Sequence, residues 1–241
     1  MQLNKVNLDK ILFLDIETAP LVYKFGDLSE ASAKLYLDKN RFLIDRDKLS
    51  PDQAYEKAGV LAEFSKIICI SCGFIQQNGK DRKIRIRSFS GDNEKDLLND
   101  FVKMIESHYN SSNSVLCGHN AKEFDFPFIA RRLLINRIDI PFVLDLAGKK
   151  PWEIPHLDTM ELWKFGDFKH YTSLNLLCHI FEIPSPKTDI SGADVARVYY
   201  EEKGLDRITS YCQNDVVALI RLFLRFRNED TIADESVVLS H

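Results

Sequence analysis

Two carboxylates in an otherwise hydrophobic run are the first residues of this chain equipped for chemistry. Ile11 to Ile16 reads as a buried strand, yet Asp15 interrupts it and Glu17 follows two residues later. Side chains two apart on a strand share a face, so both carboxylates point the same way. Burying one anion beside another is costly unless cations compensate, which a pair of divalent metal ions would do directly. Two later stretches carry similar potential. His119-Asn120-Ala121-Lys122-Glu123-Phe124-Asp125-Phe126-Pro127 leads into an apolar run, and Tyr211-Cys212-Gln213-Asn214-Asp215 leads into another. Tyr211 and Asp215, four apart on a helix, would bring a phenol and a carboxylate to one point.

Each later stretch also has a plainer reading. Pro127 can open a helix and place Asp125 just before its N-terminus, where an aspartate commonly caps. Asp215 precedes a strongly apolar segment in which an unpaired ion is expensive, but a solvated aspartate on the outer face is equally compatible with the pattern. Asp158, after His156-Leu157 and before a short helical stretch, reads as an N-cap.

The elements that must position these groups come from a chain of 241 residues, 45% hydrophobic and 28% charged, which suits one domain with a sizeable core. No stretch approaches the roughly 18 apolar residues of a membrane span, and the N-terminus lacks a basic segment followed by an apolar signal core. A soluble cytoplasmic protein with no membrane contact is expected. Cys69, Cys72, Cys117, Cys178 and Cys212 are odd in number and lie mostly in hydrophobic segments, so they read as buried thiols; Cys69-Ile-Ser-Cys72 has no second pair and predicts no zinc. His108, His119, His156, His170, His179 and His241 show no close metal-ligand spacing. A net charge of -4 argues against nonspecific nucleic-acid binding by the whole surface. It leaves room for a local basic path through Lys80, Arg82, Lys83, Arg85 and Arg87. The alternation in Lys83-Ile84-Arg85-Ile86-Arg87 makes one strand face core and the other positive, either as a solvated surface or as a ligand path.

Residues 24–60 hold two mixed-charge helical stretches and read as an insertion, either covering the site or forming a passive excursion. Ser50-Pro51-Asp52-Gln53 combines an N-cap, a first-turn proline and a capping-box glutamine. Strands follow at about Lys66 to Ile75 and Arg82 to Phe89, with Asn78-Gly79 in the turn, so the first three strands form an antiparallel meander. Leu97, Leu98, Phe101, Val102 and Ile105 recur at helical spacing after a candidate cap at Asp92, and Val115 to Gly118 is a short strand. Residues 138–170 are less regular. A helix from Thr172 to Phe181 is broken at Ile183-Pro184-Ser185-Pro186, and another from about Gly192 to Glu202 ends at Gly204. Tyr211 opens the last long helix, and 228–241 is a polar tail with a short apolar patch.

In order, spacing and placement, the three acidic stretches resemble the motifs of the DEDD exonuclease superfamily, whose catalytic domain is a ribonuclease H-like α/β fold. Asp15-Ile16-Glu17-Thr18 is similar to its first motif, Asn120 through Phe124-Asp125 to its second, and Tyr211-Cys212-Gln213-Asn214-Asp215 to its third. The resemblance runs from about residue 11 to 226. A tyrosine four residues before the last aspartate, with Ser at position 210 where the other subclass has His, is similar to the tyrosine subclass that includes the proofreading domains of family B DNA polymerases.

The resemblance implies a mixed central sheet, an antiparallel meander plus parallel strands, flanked by helices, in a single 3′-5′ exonuclease domain over 1–241. It implies two Mg²⁺ or Mn²⁺ ions held by Asp15, Glu17, Asp125 and Asp215, with Asp15 bridging both and Asp125 on the second. Tyr211 would orient the attacking water. Thr18, Asn120 and Phe124 are candidate substrate contacts; Phe124, Phe126 and Phe128 either stack terminal bases or, as ordinary burial preference favours for most of them, pack in the core. The expected partner is nucleic acid with a free 3′ end, single-stranded DNA by family similarity with RNA open, and the expected products are nucleoside 5′-monophosphates. The same fold also accommodates a catalytically silent nucleic-acid-binding or interaction module, and an endonuclease.

Overall fold

The computed structural model describes residues 3–79, 81–167, 169, 171–184 and 189–240. Lys80, His170, His241 and the Ser185-Pro186 part of the expected helix break lie outside them. Strand β1 (Ile11–Pro20) is followed by helices α1 (Glu30–Asp47) and α2 (Pro51–Tyr55), then by β2 (Ser65–Asn78), β3 (Asp81–Ser90) and α3 (Glu94–His108). Next come β4 (Val115–Gly118), α4 (Asp125–Ile135), β5 (Leu157–Asp158) and α5 (Thr159–Lys164). Helices α6 (Leu174–Ile180), α7 (Val195–Tyr200) and α8 (Leu205–Phe226) precede a last strand, β6 (Val237–Ser240).

The six strands form one sheet in the order β5-β4-β1-β2-β3-β6. The expected meander is present: β1–β2 and β2–β3 pair antiparallel, while β4, β5 and β6 add in parallel. This is a mixed α/β sheet flanked by helices, with the ribonuclease H-like arrangement. Alternation along β1 divides its side chains between two cores. Leu12, Leu14 and Ile16 pack with α3 and α4, whereas Ile11 and Phe13 pack with Val216, Ile220 and Phe223 of α8. Gly73 lets α8 approach the sheet this closely, because a Cβ there would fall 2.7 Å from Ile86 and 2.8 Å from Val216.

The 24–60 segment is helical over α1 and α2, and Ser50 and Gln53 form the capping box that opens α2. It has an aromatic cluster of its own, with Tyr36 edge-on to Tyr55 and Phe64 and its hydroxyl donating to the Ala54 carbonyl at 2.7 Å.

Several local expectations shift. Asn78 pairs with Asp81, so it closes the ladder and the turn begins at Gly79, whose φ of 63° is easy only without a Cβ. Asn93, not Asp92, caps α3; Asp92 instead accepts the Tyr199 hydroxyl at 2.6 Å. Helix α8 starts at Leu205, almost two turns before Tyr211, so the third motif lies inside the helix. The polar tail is not free: Arg221 donates to the Ile232 carbonyl and to Asp234, and Val237 to Ser240 become the edge strand beside β3. Pairing with a strand some 150 positions earlier has no local signature.

Candidate active site

Asp15 and Glu17 sit on β1 where its two sheet partners change. The parallel ladder with β4 ends at Phe13 and Cys117, and the ladder with β2 has a bulge between Glu17 and Thr18. The backbone that β4 no longer pairs is taken up by a side chain: Ile16 N–H donates to Asp125 Oδ1 at 3.1 Å. Asp125 is the first residue of α4 rather than a cap before it, and Pro127 occupies the third position of the helix. The favourable N-terminal field of α4 therefore falls on a carboxylate that is already holding the peptide between Asp15 and Glu17. From the opposite side α8 brings Tyr211 and Asp215, one turn apart on the helix, so that the phenol stands on the same face as the carboxylate.

Cys212 is part of this centre, a role not evident in its sequence. Its thiol donates to Asp15 Oδ2 at 3.3 Å and lies 3.4 Å from the Asp15 carbonyl oxygen. Ligand atoms of Asp15, Glu17 and Cys212 all lie within 4.8 Å of one another. The available signal was helical: Cys212 and Asp215 are three apart and share a face. The carboxylate-rich donor set fits a hard divalent cation, the thiol being the one soft atom.

The other expected contacts separate. Asn120 has a left-handed backbone (φ 62°), and its Oδ1 is buried without a hydrogen-bond partner, an acceptor that a substrate or water could satisfy. Phe124 is half-buried against Phe128, with ring centroids 5.3 Å apart. The Thr18 hydroxyl donates to the Gly59 carbonyl at 2.7 Å, so it ties the segment before β2 to β1. Asp158 does cap α5, through Met160 and Glu161 N–H, and it also accepts from Asn120 and Lys122 N–H at 2.9 and 3.0 Å. It therefore sets the shape of the second motif from a distance of nearly forty residues.

Residues 60–237 match the family described as "Predicted 3'-5' exonuclease related to the exonuclease domain of PolB". This chain belongs to that family. The match takes in Asp125, Tyr211 and Asp215, while Asp15 and Glu17 precede it and reach the site through the β1–β2 ladder. A family B DNA polymerase from the hyperthermophilic archaeon Pyrobaculum calidifontis shares the fold, with a TM-score of 0.55 over 89% of this chain and 12% identity. The chain spans 24% of that polymerase's length. No curated protein matches it.

In this PolB-related exonuclease family member the carboxylates strain against one another. Burial, then the charges of Asp125, Glu17 and Asp215, hold the Asp15 carboxyl well above the usual range; burial, then Asp215, does the same to Glu17. Burial pushes Asp125 up to about 7 and Asp215 up to about 6, from 3.8 for a free aspartate. The folded state thus keeps protons that the unfolded chain releases. Stability from these groups is full below about pH 4 and is lost as pH rises through 6 and 7. A tenfold change in a carboxyl's acidity is worth about 1.4 kcal/mol, so the loss amounts to several kcal/mol. In chelator the protein should melt at a lower temperature at pH 8 than at pH 5, and Mg²⁺ or Mn²⁺ should recover the difference at pH 8. Thermal scans across that range check this; a chelator-treated protein most stable at pH 8 would contradict it.

Proposed function

We propose that this family member is a 3′-5′ exonuclease that hydrolyses phosphodiester bonds from the 3′ end of single-stranded DNA and releases nucleoside 5′-monophosphates. On this reading residues 1–241 act as one domain with 24–60 as a helical insertion. The observation that carries it is convergence: Asp15, Glu17, Asp125, Tyr211 and Asp215 arrive from β1, α4 and α8, and each acid raises the cost of ionising Asp15. Buried carboxylates with this much mutual repulsion suit a site that works with cations bound.

Asp15, Glu17, Asp125 and Asp215 would hold two Mg²⁺ or Mn²⁺ ions, which when bound stabilise the entering and leaving oxygens of a phosphoryl displacement and lower the pKa of water. Asp15, on which the charges of Asp125, Glu17 and Asp215 all bear, would be shared by both ions. The Asp125 bond to Ile16 N–H fixes the spacing of Asp15 and Glu17. The Cys212 thiol orients Asp15 through Oδ2. Burial, then Asp215 and Glu17, raises the Tyr211 pKa, so the phenol stays protonated and acts as a donor that positions the water rather than as a base. Water adds to phosphorus, the bond to the 3′ oxygen breaks, and that oxygen takes a proton.

A 5′-labelled single-stranded DNA and its RNA counterpart, with Mg²⁺, Mn²⁺ or chelator, test the reading. A metal-dependent ladder shortening from the 3′ end supports it, and the better-cleaved strand identifies the sugar. No cleavage of either by a folded protein overturns it. Tyr211→Phe should keep the fold and lose on the order of 10² to 10⁴ in kcat, with little change in KM, as measured by initial rates on the same strand.

A further inference from the structure

The basic strand of the sequence has no part in the carboxylate site, because it faces the other way. Ile84 and Ile86 of β3 pack under α8, so Lys83, Arg85 and Arg87 point to the opposite face of the sheet. Helix α3 covers that face over Ile70, Cys72 and Phe89. Beside α3 the face opens into a cavity of about 630 Å³, with Phe74, Gln76, Arg85, Arg87 and His108 in its walls. Among the lining residues Asp9 is the one acid.

Lys83, Arg85 and Arg87 lack an acidic partner among the described residues. Arg85 donates to Gln76 Oε1 at 2.9 Å and Arg87 lies over the Phe89 ring at 5.1 Å, whereas Arg82 on the other face pairs with Glu229 at 2.7 Å. In a chain of net charge -4, three adjacent unpaired cations concentrate positive potential on one strip. Alternate residues of a strand are about 6.8 Å apart, a repeat comparable to that of successive phosphates in an extended single strand. Phe74 lies directly across from Arg85 and is 40% exposed, so an aromatic face adjoins the cationic row.

We propose that this face is a second binding surface for single-stranded nucleic acid, with backbone phosphates along Lys83, Arg85 and Arg87 and a base stacked on Phe74. Cations at phosphate spacing beside an exposed aromatic ring are the combination that binds single strands without reading sequence. Its use, to retain the strand while the 3′ end is trimmed on the other face, rests on the exonuclease reading; the binding itself does not.

The test is fluorescence anisotropy with a labelled single-stranded DNA of about 20 nucleotides, longer than common single-strand sites, in chelator and over a range of salt. Each lost phosphate contact should lower the slope of log affinity against log salt by about 0.7. K83Q/R85Q/R87Q should therefore lose about 2, and K83Q/R87Q, which alters two exposed positions and leaves Arg85 on Gln76, about 1.4. Phe74→Ala should weaken binding about tenfold with the slope unchanged. Unchanged slopes in both cation variants overturn the proposal. So does a polyglutamate, or a nucleoside 5′-monophosphate, that competes as well as the DNA. In Mg²⁺, K83Q/R87Q should raise KM for the long strand about tenfold at constant kcat and leave cleavage of a trinucleotide unaltered; an equal loss on both substrates counts against it. Should no variant or wild type cleave, the exonuclease reading fails while the salt slopes still decide the binding surface.

Discussion

Asp15→Asn should give a folded protein whose 3′-end trimming falls by at least about 10³-fold, since loss of several kcal/mol of transition-state charge stabilisation has that effect. Asp15 is the acid on which the charges of Asp125, Glu17 and Asp215 all bear, and the acid the Cys212 thiol contacts. An asparagine preserves the shape and still offers an oxygen to that thiol, but it removes the anion that the proposed mechanism places at the centre of cation binding. The same substitution relieves repulsion in the metal-free state. In chelator at pH 8 the variant should melt at or above the temperature of the unsubstituted protein, and added Mg²⁺ should stabilise it less. Activity on a labelled strand and paired melting curves measure both halves. Undiminished metal-dependent trimming by the pure variant would remove Asp15 from the centre of the site.

Arg132→Met should cost about 3 to 5 kcal/mol, the usual consequence of stripping one partner from a buried ion pair. At about 2 to 4 °C per kcal/mol for a chain of this size, the melting temperature should fall by roughly 10 °C. Arg132 and Glu94 are both buried. Arg132 Nε and Nη2 donate to the two Glu94 oxygens at 2.8 and 2.5 Å, and Nη1 donates to the Ala62 carbonyl at 2.8 Å. Glu94 also accepts from Ile67 N–H at 2.7 Å and from Asn136 at 2.9 Å. Without the guanidinium the carboxylate stays desolvated beside apolar neighbours, which is the source of the cost. Replacing both partners, Glu94→Leu with Arg132→Met, should recover part of the loss by removing the stranded charge. The pair joins α3, α4 and β2, and α4 carries Asp125 into the site, so Arg132→Met should also weaken metal-dependent stabilisation. Denaturant titration of the single and double variants measures this; a double variant less stable than Arg132→Met would show that the network acts through more than this pair.

Local spacing along the chain set the direction in which each side chain leaves its own element. The two-residue period of β1 placed Asp15 and Glu17 together, the four-residue step placed Asp215 under Tyr211, and the alternation of β3 separated its isoleucines from its cations. Ser50 and Gln53 found each other because a capping box closes within one turn. These are short-range facts of backbone geometry, and they survived folding intact. What each side chain meets depends on long-range packing. The Asp125 bond to Ile16 spans 109 residues, the Cys212 bond to Asp15 spans 197, and Asp158 reaches back 38 residues to Asn120. The ion pair of Glu94 with Arg132 has no mark in the residues around it, and the apolar patch at Val237 to Leu239 does not show that it pairs with β3. Such contacts depend on the sheet bringing distant segments to one place, and no local propensity carries that information. The four acids were therefore legible as candidates, while their mutual repulsion, and with it the case for cations between them, exists only in the fold.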